Sequence, residues 1–168
     1  LTNNRFEFGT GRGSSTTEVL GFDIPSVDIT KAMWRETIRE IPKMWKDRPY
    51  SFEGEFFRMP ERNVLPKPHG PLHPAIWVAG GSPGTFTEAG EMGLGVFCFA
   101  IGRPTDMEPF VSAYKGAVTH ATPVGDYVND NIMGVTNMLC MEDRDKAFET
   151  AANMGMNYYS SLAYHWLD

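Results

Sequence analysis

Apolar residues recur at Trp34, Ile38, Ile41 and Trp45, with spacings of four, three and four, and predict one face of an amphipathic helix over residues 30–47. Pro42 lies inside that stretch, where its missing N–H and its ring predict a kink or an early end. Elsewhere the apolar residues come in short unbroken runs. Residues 75–79 (Ala-Ile-Trp-Val-Ala) and 96–101 (Val-Phe-Cys-Phe-Ala-Ile) are such runs, of the kind buried on both faces of a parallel sheet. Residues 5–9 and 132–141 predict two more strands. Helix signals fall between them. Ser82 is an N-cap followed by Pro83 at the first helical position, and the helix it starts runs to about Met92, ended by Gly93 or Gly95. Thr105 and Glu108 have capping-box spacing, ahead of an apolar face made of Met107, Phe110, Val111, Tyr114 and Val118. A last helix starts near Arg144 and runs to the end of the chain. Residues 51–57, with a Glu-Gly pair between aromatics, predict a β-hairpin. Prolines 60, 66, 68, 71 and 74 then predict an extended connection, and the stretch from Gly13 to about Asp28 reads as a polar loop.

Strands alternating with helices imply parallel βα units and an α/β fold. Four such units match half of a (β/α)8 barrel, which takes roughly 250 residues when complete. An open doubly wound sheet is the alternative. The chain of 168 residues opens on Leu1 and stops inside the apolar stretch Ala163 to Leu167. The expectation is one barrel domain over residues 1–168, truncated at both ends. Its unpaired strand edges and open apolar face would drive association.

Charge narrows the partners. With 21 acidic against 15 basic side chains the formal charge is −6, which disfavours nucleic acid and anionic membrane surfaces. No apolar run approaches the roughly 20 residues of a membrane span. Cys98 and Cys140 each lie in an apolar stretch and read as buried thiols of a cytoplasmic protein.

Candidate chemistry concentrates at residues 80–85. A buried strand ends in Gly80-Gly81, and a helix opens at Ser82-Pro83-Gly84-Thr85. Bare backbone N–H groups and the positive end of a helix dipole together make an anion cradle, to which the Ser82 and Thr85 hydroxyls could add hydrogen bonds. The alternative is a tight βα turn that needs glycine for geometry alone. Gly9-Thr10-Gly11-Arg12-Gly13 also follows a strand, but Ser14 stands where a dinucleotide fingerprint needs its third glycine. Arg12 there is either a bidentate donor to a phosphate or carboxylate or a surface arginine. His69 and His73 are separated by prolines that forbid a shared helical face, so no metal pair is expected. His120 reads as solvated, His165 as packing, Glu53 and Glu55 as solvated, and the methionines with Trp34 and Trp45 as core. No catalytic acid, base or nucleophile can be named from these residues.

Five segments in order carry a resemblance: Phe8-Gly9-Thr10-Gly11-Arg12-Gly13, the aromatic hairpin 52–57, Val64-Leu65-Pro66-Lys67-Pro68, Pro74 through Gly80, and Ala89 through Gly95. The succession resembles the bacterial luciferase-like monooxygenase family of flavin-dependent oxidoreductases, most closely over residues 5–101. The resemblance implies a TIM barrel that binds reduced flavin at the C-terminal ends of its strands, with this chain as about strands 4–7. It implies that Arg12, Gly80, Gly81, Ser82 and Thr85 hold the FMN phosphate. It further implies a separate flavin reductase that supplies reduced FMN, oxygen as co-substrate, a small organic substrate and a homodimer. Gly11 stands where luciferase carries a reactive cysteine, which puts light emission in doubt, and the family's flavin-side histidine belongs to an earlier part of the barrel. Relatives that use the deazaflavin F420 as dehydrogenases or reductases offer a second reading. A non-catalytic flavin-binding protein is a third, and a dinucleotide-dependent dehydrogenase is least favoured by the glycine spacing.

Overall fold

A computed structural model describes residues 2–3, 5–13, 15–46, 48–100, 102–136 and 138–154. These residues fall into two compact units, one of residues 1–12 and 31–135, the other of residues 13–30 and 136–168.

The first unit is built on a four-stranded parallel sheet in the order β1 (Phe8–Thr10), β4 (Ile76–Ala79), β5 (Gly95–Phe99) and β6 (Ile132–Val135). Every neighbouring pair is parallel, and the order never reverses. A doubly wound sheet would reverse at its switch point, so this is the progression of an incomplete (β/α)8 barrel. The strands are shorter than their apolar runs predict. β1 starts at Phe8 rather than Arg5, and β6 ends at Val135, which leaves Cys140 exposed instead of buried.

Between the strands lie α2 (Val27–Lys46), α3 (Pro83–Glu91) and α4 (Glu108–Val118). Alternation along the strands sends Ile76, Val78, Val96 and Cys98 toward these helices. There they pack with Ile38, Phe86, Ala89, Leu94 and Tyr114 in one buried cluster. Trp34, Ile41 and Trp45 of α2 pack against the same cluster, as the helical spacing predicts. Pro42 neither ends nor shortens α2, which runs unbroken for four more residues. Ile41 and Trp45 anchor the last turn on the core, and the Lys67 ammonium donates to the Met44 carbonyl at 2.8 Å, satisfying one of the carbonyls at that end. At α4 the start differs from the expected Thr105–Glu108 box. Residues Pro104–Met107 form a 3-10 turn, and it is the Asp106 carboxylate that accepts the Arg103 N–H at 3.0 Å. Val111 points outward and is not part of the buried face of α4.

The hairpin pairs β2 (Tyr50–Glu53) with β3 (Arg58–Arg62): its first strand lies where the sequence suggests, and its second follows the expected segment because residues 54–57 form the loop. Glu36 of α2 clamps that loop, its carboxylate accepting the N–H groups of Glu55, Phe56 and Phe57 at 2.7, 3.0 and 3.2 Å. His73 is a buried hub. Its ring stacks between Trp45 and Tyr127, its Nε2 accepts the Asp126 N–H at 2.8 Å, and its Nδ1 therefore donates to the Pro74 carbonyl. His69 and His120 are exposed, as are Glu53 and Glu55, while His165 lies outside the described residues. Several methionines are not core: Met133, Met138, Met141 and Met154 are exposed.

In the second unit, residues expected to be loop form α1 (Thr16–Gly21). Ser15 and Glu18 close a capping box on it: the Ser15 hydroxyl accepts the Glu18 N–H at 3.2 Å, and the Glu18 carboxylate accepts the Ser15 N–H at 3.0 Å. Residues 144–154 are helical, as predicted for that start.

Tyr114 is fully buried, and its hydroxyl lies 2.9 Å from the Leu94 carbonyl and 2.8 Å from that of Asn129, tying α4 to the strand ends. The one hydroxyl proton is shared between them, and the Asn129 carbonyl also accepts the Asn131 N–H at 2.9 Å, so Tyr114→Phe removes one buried hydrogen bond and should lower unfolding stability by about 1 kcal/mol, read from urea denaturation. Burial first, and the nearby Asp130 second, push the Tyr114 phenol up to about 12. The folded chain therefore holds a proton that the unfolded chain releases above about pH 10. Its contribution is complete below pH 10 and declines as the pH climbs toward 12, a decline that Tyr114→Phe should abolish.

The sheet face away from the helices carries Phe97, Phe99, Met133 and Val135, with Phe99 68% exposed, and among the described residues no strand pairs with the outer edges of β1 or β6. The 168-residue chain alone is therefore expected to self-associate in analytical ultracentrifugation. A stable monomer would contradict that.

Candidate functional site

In β1 and β4, Thr10 stands opposite Val78, so the segments leaving both strands emerge side by side at the C-terminal edge of the sheet. One carries Gly11 and Arg12. The other is the turn from Gly80 to Thr85. Parallel pairing alone thus brings together two loops that lie far apart in the chain.

Within the turn the residues do different work. The Gly80 N–H donates to the Phe97 carbonyl at 2.8 Å, which extends the β4–β5 ladder. A methyl group on Gly80 would sit 3.0 Å from Val96 and 3.2 Å from Phe86, so glycine here serves close packing and its amide is already engaged. Gly81 is exposed, with open space where a side chain would stand, and the same holds for Gly84. Ser82 caps α3: its hydroxyl accepts the Thr85 N–H at 3.3 Å and lies 3.1 Å from the Thr85 hydroxyl. One hydroxyl proton closes that pair, which leaves the second for an acceptor outside it.

Arg12 and Thr85 line one small hollow of about 20 Å³, together with Lys31, Trp34, Ala79 and Glu88. The Trp34 indole N–H donates to the Thr10 hydroxyl at 3.1 Å, and that hydroxyl donates to the Trp77 carbonyl at 2.8 Å, so one wall is pinned to the sheet. Glu88 of α3 faces two cations of α2. Its carboxylate accepts from the Arg35 guanidinium and lies 3.3 Å from the Lys31 ammonium. Burial alone would push the Glu88 carboxyl up, but the hydrogen bonds and charges of Arg35 and Lys31 outweigh it and hold the group below the usual glutamate range.

Of the residues singled out in the sequence, Arg12 and Thr85 share the hollow, Ser82 joins Thr85 at its edge, and Gly80 lies behind it in the sheet. Lys31, Trp34 and Glu88 were not foreseen. A signal for them existed: Lys31 and Arg35 are four apart on one helical face, and parallel βα units place the first turns of successive helices at the same edge. The Cys98 thiol points into the core, and burial pushes it up, so it offers no nucleophile. Among the described residues, no group of His, Cys, Asp and Glu could hold a metal ion, and no helix is long and apolar enough to cross a membrane.

A family model, luciferase-like monooxygenase, matches residues 1–165, and the chain belongs to that family. It is similar to the F420-dependent glucose-6-phosphate dehydrogenase of Kineococcus radiotolerans, 32% identical over 58% of this chain and 29% of that protein. The enzyme of the same description from Amycolatopsis mediterranei is 25% identical over 89% of this chain and 44% of its own length. Among solved structures, the monooxygenase RslO1 from Streptomyces bottropensis superposes with a TM-score of 0.79 at 24% identity, covering 96% of this chain and 49% of that one. The oxygenating constituent of 3,6-diketocamphane monooxygenase from Pseudomonas putida, solved in complex with FMN, superposes with a TM-score of 0.60 at 24% identity, covering 73% of this chain and 37% of that one. The chain spans less than half the length of each of these four proteins. The expected fold therefore stands: an incomplete barrel of the luciferase-like type.

Ser82→Ala removes the side-chain acceptor of the Thr85 N–H, which keeps the Ser82 carbonyl at 3.0 Å, and the lost cap should lower stability by about 0.5–1 kcal/mol, measured by thermal or urea unfolding.

Proposed function

We propose that this chain, as a member of the luciferase-like monooxygenase family, is the phosphate-binding part of an FMN-dependent monooxygenase that oxygenates a small organic substrate. The observation that carries the reading is one hollow lined by Arg12 from the end of β1 and Thr85 from the first turn of α3, with the Ser82 hydroxyl beside it.

The donor set fits a phosphate. The open space at Gly81 and Gly84 lets an oxyanion approach the backbone, and the start of α3 presents N–H groups and its positive dipole end. Ser82 and Thr85 would hydrogen-bond the phosphate oxygens, and Arg12 would pair with them as a planar bidentate donor. Bound reduced FMN would supply the electrons that let oxygen attack the substrate. The chain's own part is to fix the phosphate end, so that the flavin ring lies across the C-terminal edge of the strands. Ala79, exposed at that edge, together with Phe99 and Val135 gives an apolar flank on which an organic substrate could lie. A separate reductase supplies reduced FMN in this reading, and the full-length protein is a cytoplasmic homodimer.

The curated relatives, all F420-dependent dehydrogenases by description, favour a second reading: an F420-dependent oxidoreductase that uses the same anion site. Equilibrium binding of both cofactors to the full-length protein separates the two. Tighter binding of FMN supports the first and tighter binding of F420 the second. Arg12→Ala and Thr85→Ala should each weaken FMN binding by about tenfold or more. Affinity unchanged from wild type would remove both residues from the site.

A further inference from the structure

We infer that Phe99 and Val135, the last residues of β5 and β6, are specificity-determining residues that pack against the substrate, and that this substrate is an uncharged, largely apolar molecule rather than a sugar phosphate. The inference rests on the cofactor reading given above and names the substrate class of that same edge of the sheet.

Strand alternation decides which side chains are available. Ile76, Val78, Val96 and Cys98 turn to the helices, so their neighbours turn to the opposite face, which in a complete barrel is the interior. From Gly9 and Trp77 to Phe99 and Val135, every described strand residue on that face is glycine or apolar. The face is built in layers. Trp77 and Phe97 stack with ring centroids 4.6 Å apart, and the Trp77 indole N–H donates to the Glu7 carboxylate at 2.5 Å. A methyl group on Gly95 would sit 2.4 Å from the Trp77 ring, and one on Gly9 would sit 3.3 Å from that of Phe97. This layer is therefore filled, and its one polar atom is engaged. Phe99 and Val135 pair across β5 and β6 in the next layer toward the C-terminal edge, where they are 68% and 51% exposed. That is the layer a barrel presents to its ligand. Ala79 joins it to the hollow, since it lines the hollow and stands opposite Phe97 in the register.

Such a layer is selective. A hydrocarbon surface laid on the Phe99 ring and the Val135 isopropyl group gains by leaving water. The hydroxyls and phosphate of a sugar phosphate laid there would lose water and find no hydrogen-bonding side chain on the strands, at a cost. In the cofactor reading the donors around the hollow are already engaged by the cofactor phosphate. Glucose 6-phosphate, named in the description of the curated relatives, is therefore the contrasting case.

The full-length protein is loaded with the oxidised form of whichever cofactor, FMN or F420, it binds more tightly. It is then titrated calorimetrically with methyl heptyl ketone, methyl nonyl ketone and glucose 6-phosphate, in wild type, Phe99→Ala, Phe99→Leu and Val135→Ala. Wild type should bind both ketones, the longer about tenfold more tightly because it buries two more methylene groups, and should not bind glucose 6-phosphate measurably. Phe99→Ala should weaken the longer ketone by about tenfold and Val135→Ala by about threefold, while Phe99→Leu, which keeps an apolar side chain, should recover most of the loss. Cofactor affinity should stay within about twofold of wild type in all three variants. A protein that binds neither cofactor overturns the cofactor reading on which the inference rests. One that binds a cofactor but takes glucose 6-phosphate as tightly as the ketones, or takes no ketone, overturns the apolar substrate class alone. Ketone affinity unchanged in Phe99→Ala, or cofactor affinity lowered as much as ketone affinity, removes Phe99 from the substrate wall, and the same result in Val135→Ala removes Val135.

Discussion

The parallel register of the sheet is the constraint on which everything else hangs. Ile76, Val78, Val96 and Cys98 all turn to the helix side and are buried there with Phe86, Leu94 and Tyr114. Because the side-chain period of a strand is two, a slip of one residue would turn that whole set to the opposite face. Register is thus enforced by the core, and with it the fact that every strand ends at the same edge. The pairing of Thr10 with Val78 then decides that Arg12 and the Gly80 turn are neighbours, although some 70 positions separate them.

Given that edge, electrostatics shape the site. The net charge of the chain is −6, yet the hollow gathers Arg12 and Lys31 with Arg35 close behind. Glu88, which also lines it, is held below its usual range because the hydrogen bonds and charges of two cations outweigh its burial. Clustered cations of this kind would favour an anionic ligand, as the proposed phosphate site requires. The polar wall is equally fixed, since Trp34, Thr10 and the Trp77 carbonyl form one hydrogen-bonded chain. Such fixed donors need little rearrangement when a ligand arrives.

Much of this was legible in the sequence where the signal is local. The apolar spacing of α2, the Ser82-Pro83 start of α3 and the unbroken runs of β4 and β5 each specify their element through neighbours a few residues apart. The misreadings share a cause. Pro42 suggested a break because the sequence does not show that Trp45 is anchored on the core beyond it. Residues 13–28 looked like loop because their polarity outweighed the Ser15–Glu18 box that starts α1. His73, set aside as a metal ligand, became a buried hub through partners 28 and 53 positions away, Trp45 and Asp126. For Lys31 and Glu88 the sequence holds half of the signal, since the spacing of Lys31 and Arg35 marks one face of α2 but not the acid on α3 that it meets. Gly80 and Gly81 looked alike in sequence, and only the packing of Val96 and Phe86 against the first separates their roles.

The central claim is that this edge of the sheet holds a flavin phosphate as a dianion. Phosphorus-31 NMR of FMN bound to the full-length protein, followed across pH 5 to 8, tests it directly, because free phosphate monoesters titrate near pH 6. The account predicts a bound resonance that stays dianionic throughout and does not follow the titration of free FMN. A bound phosphate that titrates like the free cofactor would place it in solvent, away from Arg12, Ser82 and Thr85, and would contradict the account.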